Sequence, residues 1–248
     1  MRFVRQADLF AGAGTPATRP APSQAQRPSL VPDDLDDAAL IAAIPRSSLA
    51  ECRALAAEAG RRRLAAAVPA LESLCRRFRG FGLHHAVPEQ VAALTGLAAL
   101  GGRDATAAVA RIIVDDVVQG PGLASAISAA AELRAILPAE TVAVLLRHDE
   151  PAIRADACRC APPQPRVISL LVDLLDDLHG AVASAAACAL GHMGRIEARP
   201  LLLRLLHEDP TVAVIDATVG IADADCIVRL GRIARSRPDL AEAAIDAL

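Results

Sequence analysis

Tryptophan, tyrosine, lysine and asparagine are absent from all 248 residues, and four phenylalanines supply the whole aromatic content. Each absence removes a class of chemistry. Without lysine there is no Walker-type phosphate loop, no third-strand lysine of a kinase and no Schiff base for a pyridoxal cofactor. Without tryptophan and tyrosine, the stacking platforms that hold single-stranded nucleic acid are nearly excluded. The 26 basic residues are all arginine and are outnumbered by 29 acidic ones. The net charge of −3 therefore offers no overall attraction to nucleic acid, which is disfavoured as a partner. Long apolar runs are lacking as well. No stretch of about 18 apolar residues suggests a membrane span. Met1 to Pro16 lacks the continuous apolar core of a secretory signal. The six cysteines are accordingly expected as reduced thiols in the cytoplasm.

What the chain does have is alanine, 56 residues by count. Ala, Leu, Arg and Glu lose little side-chain freedom in a helix, whereas a sandwich or barrel wants β-branched and aromatic residues. The composition predicts an all-α fold. Residues 1–36 stand apart. The stretch AGAGTPATRPAPSQAQRPSLVPDD, residues 11–34, carries almost no large apolar side chain. It cannot bury enough surface to offset its ordering entropy, so 1–36 is expected to be a disordered arm. Beyond it lie two regions, 37–103 with irregular helical spacing and 104–248 with regular spacing.

The regularity can be counted. A proline or glycine, one further residue and an aliphatic recur as Pro121-Gly122-Leu123, Pro151-Ala152-Ile153, Gly180-Ala181-Val182, Pro210-Thr211-Val212 and Pro238-Asp239-Leu240, with the aliphatics 30, 29, 30 and 28 residues apart. Each opens an Ala-rich segment, as suits proline in a first helical turn. The segment before it ends in a Leu-Leu pair and polar residues, as in Leu205-Leu206-His207-Glu208-Asp209. Val167, Ile168, Leu170, Leu171, Leu174, Leu175 and Leu178 fall on one face at helical spacing. Two antiparallel helices repeating with a period near 30 signal a solenoid.

The stretch from Val167 to Ala234 resembles HEAT-type repeats, in particular the short variety named from phycobilin lyases. The likeness rests on the Asp209-Pro210 turn, on Ala189-Leu190-Gly191 closing the second helix, and on Arg199-Pro200-Leu201-Leu202-Leu203 opening the next. The pattern extends over 104–248 and holds loosely over 37–103, where Ala67-Val68-Pro69-Ala70-Leu71 opens a helix but the spacing drifts toward forty. The resemblance implies an α-α superhelix whose second helices line a concave surface that binds another macromolecule, most simply a protein, without catalysis. Enzymes of the phycobilin lyase and DNA glycosylase kinds share the fold and remain the alternative. Arg154, Arg159, Ser184 and Asp216 are the candidate residues exposed on that face. Ala241, Ala244, Ile245 and Leu248 form a terminal apolar stripe, expected against the preceding repeat.

Catalytic and metal-ligating patterns are wanting. His148, His179 and His207 occupy equivalent turns of successive repeats, but packed helices sit about 8–10 Å apart, whereas zinc ligands lie about 2.1 Å from their ion. Cys158 and Cys160 point different ways on a helix, and with Cys188 they read as core packing. His84-His85 lacks supporting ligands, and Asp115-Asp116 and Asp176-Asp177 read as solvated faces. No catalytic residue, metal or cofactor is expected. Two surface signals remain. Arg61, Arg62, Arg63, Arg76, Arg77 and Arg79 fall within 19 residues, a basic rim or a patch for phosphate or an acidic partner helix. The first three oppose the dipole of a following helix unless they close the preceding one. Near the N-terminus, Gln6-Ala7-Asp8-Leu9-Phe10 resembles the peptide by which bacterial polymerases and repair proteins dock on the sliding clamp. That resemblance implies Leu9 and Phe10 in an apolar pocket and Gln6 hydrogen-bonding at its edge, with Asp8 filling the motif's Ser-or-Asp position.

Overall fold

Proline and glycine punctuate the chain, and most of the helices start at or just after one. A computed structural model describes residues 31–248, and the predicted disordered arm and the Gln6–Phe10 peptide lie almost wholly or wholly outside them. Among the described residues there is no strand, and after a short 3-10 turn (Pro32–Asp34) fourteen α-helices follow one another. They are α1 (Asp37–Ala43), α2 (Leu49–Arg61), α3 (Val68–Arg77), α4 (Pro88–Leu100), α5 (Gly102–Val114), α6 (Gly122–Glu132), α7 (Ala139–Leu145), α8 (Pro151–Arg159), α9 (Pro165–Asp173), α10 (Gly180–His192), α11 (Arg199–Glu208), α12 (Val212–Val219), α13 (Ala224–Ser236) and α14 (Ala241–Asp246).

The starts are chemically marked. Proline occupies the first turn of α3, α4, α8, α9 and α11, where its missing N–H costs nothing. Ser48 and Glu51 close a capping box on α2, and Thr211 and Asp223 accept backbone N–H groups at the starts of α12 and α13.

Odd and even helices pair in sequence and form two layers. The even helices pack in an unbroken row from α2 to α14, while odd helices pack directly on one another at α3–α5, α7–α9 and α11–α13. The five Ala-rich openings found in the sequence all lead into this even row. Even helices begin at residues 49, 88, 122, 151, 180, 212 and 241. The period thus holds near 30 from α6 onward and stretches to 39 between α2 and α4, as 88 − 49. Packing does not break where the spacing changes, since α4 lies against α6, and a buried core runs between the layers from Leu40 to Ala244.

Small residues bring the even helices together. A Cβ at Gly96 of α4 would lie 3.1 Å from Ala56 Cβ of α2. Between α10 and α12 the approach is closer: a Cβ at Gly191 would collide with the Ala217 carbonyl oxygen, and one at Gly220 with that of Gly191.

Two expectations need correction. The apolar face read through Leu178 ends sooner, because α9 stops at Asp173, a 3-10 turn takes Leu174–Asp176, and Leu178 is 99% exposed. Past that turn the backbone is extended at Asp177, whose carboxylate Arg154 holds. In the terminal stripe only Ala244 is buried, and Ile245 and Leu248 stand open to solvent.

Candidate binding surface

Arg154 and Arg159 lie on α8, Ser184 on α10 and Asp216 on α12, so all four candidates share the even layer. Their surroundings differ. Arg154 is 14% exposed and fully engaged: Nε and Nη2 donate to Asp177 at 2.9 and 3.0 Å, and Nη1 to the carbonyl oxygens of His148 and Asp149. Asp177 also accepts the His179 N–H at 2.8 Å, and the Arg154 bonds lead in holding its carboxyl below the usual range. Arg154 is therefore a brace between repeats and not an open contact residue.

The remaining three are accessible or half-accessible. Arg159 is exposed and donates to Asp156 at 2.9 Å. Burial raises the Asp156 carboxyl, with Arg159 opposing that rise. Ser184 is half-buried, and Asp216 is exposed with its Oδ2 3.3 Å from His192 Nε2 across the α10–α12 contact. Between these polar residues the outer side of the row carries Ala152, Ala155, Ala181 and Ala213, none of them buried. Small side chains thus separate the charged groups on this face.

The histidines and cysteines do not converge. His148 Nδ1 accepts the Glu150 N–H at 3.0 Å, and His179 Nδ1 lies 3.4 Å from Asp177. Among the described residues no cluster of three His, Cys, Asp or Glu side chains is placed to hold a metal ion. Burial pushes the thiols of Cys158 and Cys160 up to about 12 and that of Cys188 up to about 11. A thiol so raised is a poor nucleophile.

The arginine cluster is built into the fold. Arg61 is the last residue of α2 and Arg62 its C-cap, so the first group closes the preceding helix and suits its negative end. Both donate to Glu58, which is almost buried, and they hold its carboxyl down from 4.5 to about 2. Arg62 also reaches the carbonyl oxygens of Leu35 and Pro32, at 2.7 and 3.1 Å, and Asp37 at 3.0 Å. In the second group Arg76 joins Glu72 at 2.9 Å to Asp115 at 2.7 Å. Arg77 donates to the carbonyls of Pro45 and Ser47 and covers the Phe78 ring at 4.6 Å. Arg79 donates to the Asp115 carbonyl at 2.8 Å. Arg63 alone of the six makes no side-chain hydrogen bond or ion pair. Five of the six thus brace the fold through their side chains, while Arg61, Arg77 and Arg79 stay exposed along its rim.

Sequence reasoning missed two residues. Gln90 is 1% exposed, and its Nε2 donates to the carbonyls of Cys75 and Val117 at 3.1 Å each, satisfying the ends of two odd-layer segments. Its signal is one polar residue before the apolar run of α4. His192 had no motif, since its partner Asp216 lies 24 residues away.

Residues 138–222, which span α7 to α12, match the family model described as HEAT repeats. Among the solved structures that match is the complex of CpcE and CpcF of phycocyanin lyase from Nostoc sp. PCC7120. The likeness covers 94% of this chain and 97% of that one, at 18% identity and a TM-score of 0.52. No curated protein matches. The layered helix pairs, the repeat match and this likeness together define an all-α HEAT-like solenoid.

Proposed function

We propose that this chain is a non-catalytic scaffold that holds another protein against its even-helix layer. The observation that carries the reading is the continuous outer face of α8, α10 and α12, where alanines alternate with Arg159, Ser184 and Asp216. Small side chains let a partner's backbone or helix come close, and the few charged groups fix its register. The solved structure of similar fold is itself a complex of two proteins, which supports a protein partner. Among the described residues no helix is long and apolar enough to cross a membrane, and the described cysteines are free. A cytoplasmic setting belongs to the same reading. The lyase named in that structure brings only a fold likeness, and the raised thiols here favour binding over covalent chemistry.

Native affinity capture tests the proposal, with a Ser184→Arg/Asp216→Arg variant beside the wild type. A partner held by the wild type and lost from the variant, at unchanged helicity, supports docking on this face. Equal retention by both sinks it. A second reading is carried by the Gln6–Phe10 sequence, an adaptor tethered to a bacterial sliding clamp. It expects micromolar clamp binding (about −8 kcal/mol) that a Leu9→Ala/Phe10→Ala variant loses, and a wild type that does not bind removes it.

A further inference from the structure

Arginine is spent carefully in this molecule, and the exceptions cluster. Of the 22 arginines among the described residues, nine make no side-chain hydrogen bond or ion pair, and four of those nine, Arg204, Arg229, Arg232 and Arg235, lie on α11 and α13. On α13 three fall at i, i+3 and i+6, a spacing at which like charges face one another and destabilise a helix. The last of them, Arg235, is eased by the negative end of α13, but Arg229 and Arg232 are further inside the helix. They line a cleft of about 250 Å³ between α13 and the end of α11, together with His207, Glu208, Ser236 and Arg237. Its floor is apolar, from Leu206 and Ile233.

The charge balance of the cleft favours an anion. Arg237 is already committed to Asp239, at 3.0 and 2.7 Å. Two free guanidiniums then stand against one lining carboxylate, Glu208, and against the carbonyl end of α11. Four separate donors are at hand in Arg229, Arg232, the Ser236 hydroxyl and a ring nitrogen of His207. A carboxylate has two oxygens and is satisfied by one arginine fork, whereas a phosphate dianion has three that can use more donors. We infer that the α11–α13 cleft binds the phosphate of a phosphomonoester. The inference is independent of the even-layer surface, which lies on the other layer of the solenoid.

Calorimetric titration of the intact chain with inorganic phosphate, and in parallel with a phosphoserine peptide, tests it. Saturable binding is expected, weakened about tenfold or more in Arg229→Gln/Arg232→Gln. Glu208→Gln removes the opposing charge and is expected to tighten binding, a gain that a merely structural role for these residues would not produce. It keeps the inference open to refutation even if the double arginine variant fails to fold. If the peptide binds more tightly than free phosphate, a phosphorylated partner is the source. If the two bind equally, the source is a free anion. Absence of saturable binding by the wild type overturns the inference, as does binding that neither variant alters.

Discussion

Two couples of odd helices, α3–α5 and α11–α13, are packed alike and use arginine in opposite ways. At α3–α5 every guanidinium but that of Arg103, in the first turn of α5, is taken: Arg76 and Arg111 share Glu72, Arg76 and Arg79 meet Asp115, and buried Gln90 joins the two helix ends. At α11–α13 one arginine makes the tie, Arg199 to Asp223 and Asp225, while Arg204, Arg229, Arg232 and Arg235 are left unpaired. Counting arginines therefore does not find a binding patch. Where carboxylates and carbonyls are in reach, arginine is mortar. Where none of them engages it, the guanidinium is available to something outside the fold.

The even layer, on which both couples lean, sets the scale for testing this. Gly191→Ala places a methyl group where the Ala217 carbonyl already stands, with Leu202 Cδ1 at 2.8 Å, and should cost about 3 kcal/mol in urea denaturation. Next comes Gln90→Leu, which leaves the Val117 carbonyl without its side-chain donor and the Cys75 carbonyl with only the Phe78 N–H. It should cost about 2 kcal/mol and loosen α3 from α5 in hydrogen exchange.

Glu72→Gln should cost about 1 kcal/mol at neutral pH, and its effect has a pH signature. Bonds from Arg111 first, then Arg76, hold the Glu72 carboxyl below its ordinary 4.5. A depressed carboxyl contributes stability above the unfolded-state value and loses it as pH falls through the folded one. The gap between wild type and Glu72→Gln should thus close as pH drops below about 4.5. The smallest effect is expected at the other couple: Arg229→Gln/Arg232→Gln should shift stability by no more than about 0.5 kcal/mol. A large loss there would make α11–α13 a second mortared joint and erase the contrast.

The fold was legible because its signals are local. A proline in a first turn leaves its mark at the helix it opens, so the even row could be read from Pro121, Pro151, Gly180, Pro210 and Pro238. The site was less so because its decisive contacts span 23 to 39 residues. Arg154 looks like any exposed helix arginine until Asp177, 23 positions on, is brought beside it. Arg76 shows no tie to α5 until Asp115, 39 positions on, arrives. Leu178 shows the same limit from the other side, since its spacing continued the apolar pattern although the helix had already ended at Asp173.

Gly191 and Gly220 meet main chain to main chain, and that has a bearing on how such a chain can change through evolution. A contact made by backbone alone keeps its length whatever side chains are exchanged around it. The pitch of the even row at α10–α12 is consequently a property of polypeptide geometry, a ruler that sequence drift does not stretch. The residues facing a partner are free to be rewritten on it, while the interval at which they are presented stays constant.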